Sequence, residues 1–362
     1  MAYNQVLQST IEGVKSIART DICIFDPDGS VIAATCNEGG QYRDSVVNFA
    51  NSQAEIQVVQ GYQYFKIFDG NNLDYVMLMR GDSDEIYTIG KLVAFQIQSL
   101  MAAHKEKFDK DNFIKNVLLD NMLLVDVYNK AKKLHVDIEA QRIVFVIETQ
   151  KEKDSNAMEI VKGLFAGNSR DFITAVDEKN IILVKELKAG EDYKDMKNTA
   201  RMILDMLNSE AMSNAYIAYG TIVHTIKDIS RSFKEAKMAL DVGKIFYAGK
   251  QIIAYNRLGI GRLIYQLPIP LCRMFIDEVF PSVTPDAFDE ETLSTISKFF
   301  ENSLNVSETA RQLYIHRNTL VYRLDKVNKA TGLDLRVFED AITFEIALMV
   351  VKYMKFMENQ EY

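Results

Sequence analysis

NVSETARQLYIHRNTLVYRLDKV, residues 305–327, concentrates bases on a chain whose formal charge is −8. From Asn305 to Lys329 stand Arg311, Arg317, Arg323, Lys326 and Lys329 against only Glu308 and Asp325, with His316 as an optional further cation. Asn305 is placed to cap a helix, and Glu308, three residues on, to reach back as in a capping box. That helix, about 307–313, buries Ala310 and Leu313. The tripeptide Tyr314–His316 makes a turn pinned by Ile315. A second helix, about 317–329, buries Leu320, Leu324 and Val327 and leaves Arg317, Asn318, Thr319, Tyr322, Arg323 and Lys326 outside, with Gly332 as its C-terminal cap. The preceding LSTISKFFENS (293–303) reads as a helix with Leu293, Ile296 and Phe300 inward. Two short helices across a sharp turn, the second with a basic and amide-bearing face, meet the geometric requirement for reading DNA. Arginine pairs bidentately with guanine and asparagine with adenine. The same apolar spacing is also that of any solvated packing helix, so spacing alone leaves both readings open.

Working outward, the 362 residues are 48% hydrophobic and 25% charged, enough for several cores and too long for one. An acidic chain of this kind is not a non-specific coat for nucleic acid, because phosphate binding needs clustered bases. Cys23, Cys36 and Cys272 show no C-x-x-C spacing, which fits free thiols in a reducing compartment without a zinc site or other metal centre. Neither a signal peptide nor an apolar run of about 18 residues is seen, so a cytoplasmic protein without membrane contact is expected.

Residues 3–19 carry helical apolar spacing, and TDICIFDPDGSVIAAT (20–35) alternates around Asp26–Gly29 as a hairpin. A helix is expected at 43–54, three strands at EIQVV, YQYFKIFD and LDYVMLMRG, and a helix at 84–104. This order suits a small antiparallel sheet flanked by helices, as in PAS and GAF sensors. Residues 105–140, free of Pro and Gly, read as a helical connector that could continue the preceding helix. From Arg142 a strand–helix–strand–strand–helix–strand–helix order predicts one sheet with helices on a face. Residues 256–290 are expected to be helical, broken at Pro268, Pro270, Pro281 and Pro285.

The segment from Asn305 to Leu335 resembles the C-terminal helix-turn-helix of PucR/CdaR regulators, the sugar-diacid utilisation regulators among them. Asn305, Ser307, Ala310–Arg311, Leu313, the run Ile315–Leu320, Tyr322–Leu324 and Gly332–Leu335 carry the match, and HRNTLVYRL is its most specific part. The resemblance implies a multidomain α+β chain. It would have a PAS/GAF-like sensor at 1–104, a helical connector at 105–140, a ferredoxin-like, degenerate GGDEF-like α/β domain at 141–255, a helical linker at 256–290 and an all-α helix-turn-helix domain at 291–362. The DNA-binding residues would be His316, Arg317, Asn318, Thr319, Tyr322, Arg323, Lys326 and Lys329, acting on double-stranded operator DNA under a small-molecule effector such as a carbohydrate diacid.

Further expectations concern the middle domain, the histidines, the effector site and assembly. Where an active GGDEF enzyme has glycines and acids in its central hairpin, this chain has VDEKN (176–180), without glycine and with Lys179 competing against a metal. A scaffold without catalytic residues or cofactor is expected, and a nucleotide-handling signalling enzyme of the GGDEF type is the alternative. No histidine has a ligand at i, i+4; His104 and His135 are expected at the surface, and His224 buried in a structural role. Within 1–100, Arg19, Arg43 and Arg80 are the only guanidiniums, so they lead as effector-binding candidates. Phe95, Ile97, Leu100, Phe113, Val117 and Leu124 exceed what a lone surface helix needs, which predicts a homodimer through the N-terminal half.

Overall fold

The computed structural model describes residues 2–36, 39–149, 155–168, 170–210, 214–280 and 288–360. They form two compact units, residues 1–113 and 114–362. Expected breaks at Pro281 and Pro285 lie outside the described residues.

The first unit starts with α1 (Ala2–Ala18) and the hairpin β1 (Ile22–Phe25)/β2 (Val31–Ala34). The hairpin closes where the alternation put it: Asp26 Oδ1 accepts from Ser30 N at 2.7 Å, and Gly29 supplies φ +82°. After α2 (Arg43–Ala50) come β3 (Ile56–Val59), β4 (Tyr62–Asp69) and β5 (Asn72–Arg80). The strands pair antiparallel in the order β2-β1-β5-β4-β3. Both faces are apolar, so both are covered. Leu7, Ile11, Val93 and Ile97 pack on the face of Ile22, Ile24, Phe65 and Met77. Val46 and Phe49 of α2 pack on the face of Cys23, Phe25, Tyr64 and Leu78.

A single helix, α3 (Asp84–Leu118), continues well past residue 104. The connector is not one helix to residue 140. The chain breaks after Leu118 through Asp120, at φ +55°, before α4 (Leu124–Lys133). Ile97, Phe113, Val117, Val127 and Ala131 are buried within the chain, whereas Leu92, Phe95, Phe108 and Leu124 remain exposed.

The second unit continues with β6 (Arg142–Thr149), α5 (Ser155–Leu164), β7 (Phe172–Ala175), β8 (Asn180–Glu186), α6 (Tyr193–Glu210), β9 (Ala215–Tyr219), α7 (Ile229–Phe246) and β10 (Ile252–Ala254). The sheet order is β10-β9-β6-β8-β7. Strands β6 to β9 have the split βαβ connectivity of ferredoxin-like domains, and β10 adds a parallel edge to β9. Helices cover both faces rather than one. Ile143, Phe145 and Ile147 of β6 pack with Met196, Ile203 and Leu207 of α6, and α7 closes against the opposite face, where the Ser232 hydroxyl accepts from Val144 N. Continuous burial along RIVFVI is the cause: a strand apolar on both sides needs two covers. His224 is exposed, contrary to expectation. Its neighbour Val223 takes the buried position by pairing with Arg142.

A short 3-10 turn (Tyr255–Arg257), α8 (Gly261–Ile264) and α9 (Ile269–Val279) lead to α10 (Glu290–Glu301), α11 (Val306–Gln312), α12 (Arg317–Thr331) and α13 (Phe338–Gln360). One core unites Cys272, Ile276, Ile296, Phe299, Leu320, Leu324, Val327, Phe344 and Val350, with Ile346, Leu348, Met349 and Val351 packed partly against it. Most apolar residues of α13 are thus covered by the chain itself, while Phe338 and Ile342 at its start remain exposed.

Candidate nucleic-acid interface

The helix pair α11–α12 is built from its caps. Asn305 Oδ1 accepts from Glu308 N at 3.1 Å and starts α11. The reciprocal half of the capping box is not made. The Asn305 N–H already donates to the Asn302 carbonyl at 3.1 Å, and the Glu308 carboxylate instead takes the fork of Arg311 at 2.9 and 2.6 Å and the Gln312 amide at 2.8 Å. The bonds from Arg311, and then from Gln312, hold the Glu308 carboxyl at about 2, below the usual range. Ala310 is buried where the helices meet, and its carbonyl accepts from Ile315 N at 3.0 Å. Leu313 and Ile315 are half-buried.

His316 is the N-cap of α12. Its Nδ1 accepts from Asn318 N at 3.2 Å, so the neutral ring carries its proton on Nε2. Leu320, Leu324 and Val327 anchor the helix, and Gly332, at φ +79°, ends it. Asn318, Tyr322, Asp325 and Lys329 are spaced as one stripe on the side away from the anchors. His316, Arg317, Asn318 and Thr319 are all exposed, and Tyr322 is 71% exposed.

The cations of this region divide into two groups. Arg323 keeps only 17% of its side-chain surface, because Nη1 donates to Thr295 Oγ1 at 2.8 Å and Nη2 pairs with Glu291. It therefore ties α12 to α10. Lys326 pairs with Asp289 at 2.8 Å, and Asp289 also caps α10 by accepting from Thr292 N at 2.7 Å. The Lys326 ammonium, then the Thr292 bonds, hold the Asp289 carboxyl far below its usual range. Arg336 is held by Asp334 and Asp325. Among the described residues, Arg317 and Lys329 have no such partner. Lys329→Ala is therefore expected to flatten the log–log salt dependence of DNA binding by about 0.9 unit, one phosphate contact, and Lys326→Ala by less. Fluorescence anisotropy across 50–200 mM salt reads this. Equal slopes in the Lys329 variant and the parent would remove Lys329 from the interface.

Tyr314 is a residue that sequence reasoning passed over as turn filler. It sits at φ +56° and is 96% exposed. A left-handed conformation costs an L-residue about 1–2 kcal/mol, and no burial offsets it here. The available signal was a bulky aromatic where a turn accepts glycine or asparagine more readily.

The other sequence candidates do not converge. Arg19 and Arg80 stand at one end of β1, where the Thr20 hydroxyl donates to the Arg80 carbonyl at 2.6 Å. Arg43 lies at the other end, against Gly29 of the hairpin turn. All three are exposed. In the turn between β7 and β8, Asp177 Oδ1 accepts from Lys179 N at 3.0 Å and Asn180 N at 2.8 Å, and both carboxylate oxygens accept from Asn180 Nδ2. Partial burial raises the Asp177 carboxyl, but the bonds from Asn180 and Lys179 outweigh it and leave it lowered. This acid closes the turn rather than standing open to a metal.

Residues 292–350 match the PucR C-terminal helix-turn-helix domain, and residues 121–242 match the GGDEF-like domain. The purine catabolism regulatory protein of Bacillus subtilis (strain 168) is 26% identical over 167 residues, covering 45% of this chain and 32% of that protein. Uncharacterized protein YsfB of the same organism is 21% identical over 356 residues, covering 93% of this chain and 95% of its own. The carbohydrate diacid regulator of Escherichia coli (strain K12) is 21% identical over 302 residues, covering 76% of each. The chain thus spans about a third of the first relative and most of the other two. A GGDEF-like domain followed by a PucR-type helix-turn-helix, with α12 presenting an exposed polar stripe, makes the chain similar to DNA-binding transcriptional regulators of the PucR/CdaR type.

Proposed function

We propose that the chain is a cytoplasmic one-component regulator that reads operator DNA as a homodimer and changes that reading when its N-terminal unit binds a small metabolite. The observation that carries this reading is the α12 surface, where Arg317, Asn318, Thr319, Tyr322 and Lys329 are exposed on a helix pinned from behind by Leu320, Leu324 and Val327. Arg317 and Asn318 at its start contact base edges; Lys329 and the Tyr314 hydroxyl hold phosphate. His316 orients the helix as its cap, Arg323 braces it, and Lys326 reaches DNA only by leaving Asp289.

The N-terminal unit is PAS/GAF-like, a reading supported by the antiparallel order β2-β1-β5-β4-β3 with helices on both faces. A carbohydrate diacid or related anion is the effector class, in line with the named E. coli relative. Of the guanidiniums, Arg19 and Arg80 stand at the same end of β1 and lead as candidates, with Arg43 at the other end. Leu92 and Phe95, one turn apart and exposed on α3, support pairing through this half. No helix among the described residues is long and apolar enough to cross a membrane.

Light scattering at micromolar concentration is expected to give twice the chain mass of 41.3 kDa, and the dimer to bind two half-sites about 34–36 Å apart. A monomer with and without DNA from upstream of its own gene would sink the dimer. The same preparation given GTP with magnesium is expected to make no dinucleotide. Product that disappears on changing Asp177 or Glu178 would instead favour the signalling-enzyme alternative.

A further inference from the structure

The GGDEF-like region holds a cavity of about 750 Å³ between the start of α6, the end of α7 and the edge strand β10. Lys194, Lys197, Lys250 and Arg257 line it, with Asp192 as the one acid. Asp192 is already engaged in starting α6, because its Oδ1 accepts from Lys194 N at 2.7 Å. None of the four bases makes an ion pair among the described residues. Elsewhere in the same unit the pairing is dense: Arg142 and Arg170 with Glu186, Lys185 with Glu191, Lys244 with Glu148. In a chain of formal charge −8, unpaired bases gathered at one concavity make a local field for an anion.

The remaining lining supplies a flat apolar surface. Tyr193, Tyr219, Tyr247 and Ile252 contribute rings and aliphatic area. Tyr219 is the informative one. Only 4% of it is exposed, and its hydroxyl has no hydrogen-bond partner among the described residues. The hydroxyl oxygen is not one of the fully buried unpartnered polar atoms, so it reaches the cavity surface and is open to a polar atom of a ligand. Burial raises the Tyr219 hydroxyl and the nearby Arg257 charge opposes that rise, which places base and hydroxyl on the same cavity.

This cavity is separate from the hairpin turn between β7 and β8. Asn180, beside that turn, stands opposite Glu148 near the end of β6. Tyr219 stands opposite Phe145, and the cavity opens toward α6, which begins beyond the far end of β8.

We propose that this cavity binds a small organic phosphate carrying a flat ring, of mononucleotide size, as a second ligand distinct from the N-terminal effector. The bases take the phosphate, the tyrosines flank the ring, and the Tyr219 hydroxyl meets a polar atom on it. A volume of this size is within the ordinary range for small-molecule sites.

Isothermal titration calorimetry on the full chain tests it with adenosine 5′-monophosphate, adenosine and inorganic phosphate. The nucleotide is expected to bind one per chain, at least about tenfold more tightly than either fragment. Lys197→Gln/Arg257→Gln is expected to weaken it by about tenfold or more, and Tyr219→Phe, which keeps the ring and the packing, by about fivefold. Circular dichroism melting of each variant confirms that the fold is kept. No binding at millimolar nucleotide overturns the proposal. So does phosphate binding as tightly as the nucleotide, or affinity unchanged in both variants.

Discussion

Shortening Leu320 to alanine is expected to destabilise the helix-turn-helix by about 2–5 kcal/mol and to abolish operator binding. Leu320 is fully buried in the core shared with Ile296, Phe299, Leu324 and Phe344. Removing three heavy atoms there loses their transfer energy and leaves a void that the surrounding helices fill only in part. Asn318→Ala, two residues earlier, is the matched control. Asn318 is exposed, and its backbone N–H, which bonds His316 Nδ1, is unaffected by the change. Its melting temperature is expected to stay where it is, while operator affinity falls by about 1–3 kcal/mol and discrimination relaxes at one base position. Thermal denaturation beside fluorescence anisotropy separates the two. A Leu320→Ala protein that melts like the parent would contradict the anchoring role of the stripe. Uniform weakening by Asn318→Ala on every DNA sequence would reduce that residue to a phosphate contact.

Gly220→Ala is expected to be the most damaging one-methyl change in the GGDEF-like region. Gly220 follows β9, and its N–H donates to the Val144 carbonyl at 3.1 Å. A Cβ placed there would stand 2.1 Å from the Ser232 carbonyl oxygen of α7. The obstacle is backbone, so a rotamer change cannot relieve it. Ser232 is itself fixed, donating from Oγ to the Thr221 carbonyl at 2.8 Å and accepting from Val144 N. Helix α7 would have to lift from the sheet. Overpacking of this kind costs about 3 kcal/mol, at the upper end of the usual range, and lowers the melting temperature of a unit this size by roughly 6–12 °C. Differential scanning calorimetry checks it. A shift under about 2 °C would show that α7 yields more easily than its hydrogen bonds imply.

The helix-turn-helix was legible because its information is local. The Asn305 cap, the Leu320/Leu324/Val327 spacing and the Gly332 stop lie within a few residues of what they control. The β1–β2 hairpin was legible for the same reason. The connector break at Asp120 was not. Asp120 takes φ +55° without a glycine or proline to announce it. β10 was missed too: three residues, Ile252–Ala254, carry no readable period, and their pairing is with a strand more than thirty residues earlier.

The sequence by itself determined the order of elements apart from the break before α4 and the strand β10, the placing of α11 and α12 across their turn, and the absence of glycine from the β7–β8 turn. Tertiary structure alone decided which charges remain available. Arg317, Arg323, Lys326 and Lys329 look alike in the sequence, yet Arg323 and Lys326 are bound to residues 28 to 37 positions away, on and before α10. It likewise separated Arg43 from Arg19 and Arg80 along β1, and brought Lys194 and Arg257 to one cavity. The physical reason is the same in each case. Helix periodicity and capping are set by neighbours along the chain, whereas an ion pair or a cavity is set by which distant segments the packing of apolar faces brings together.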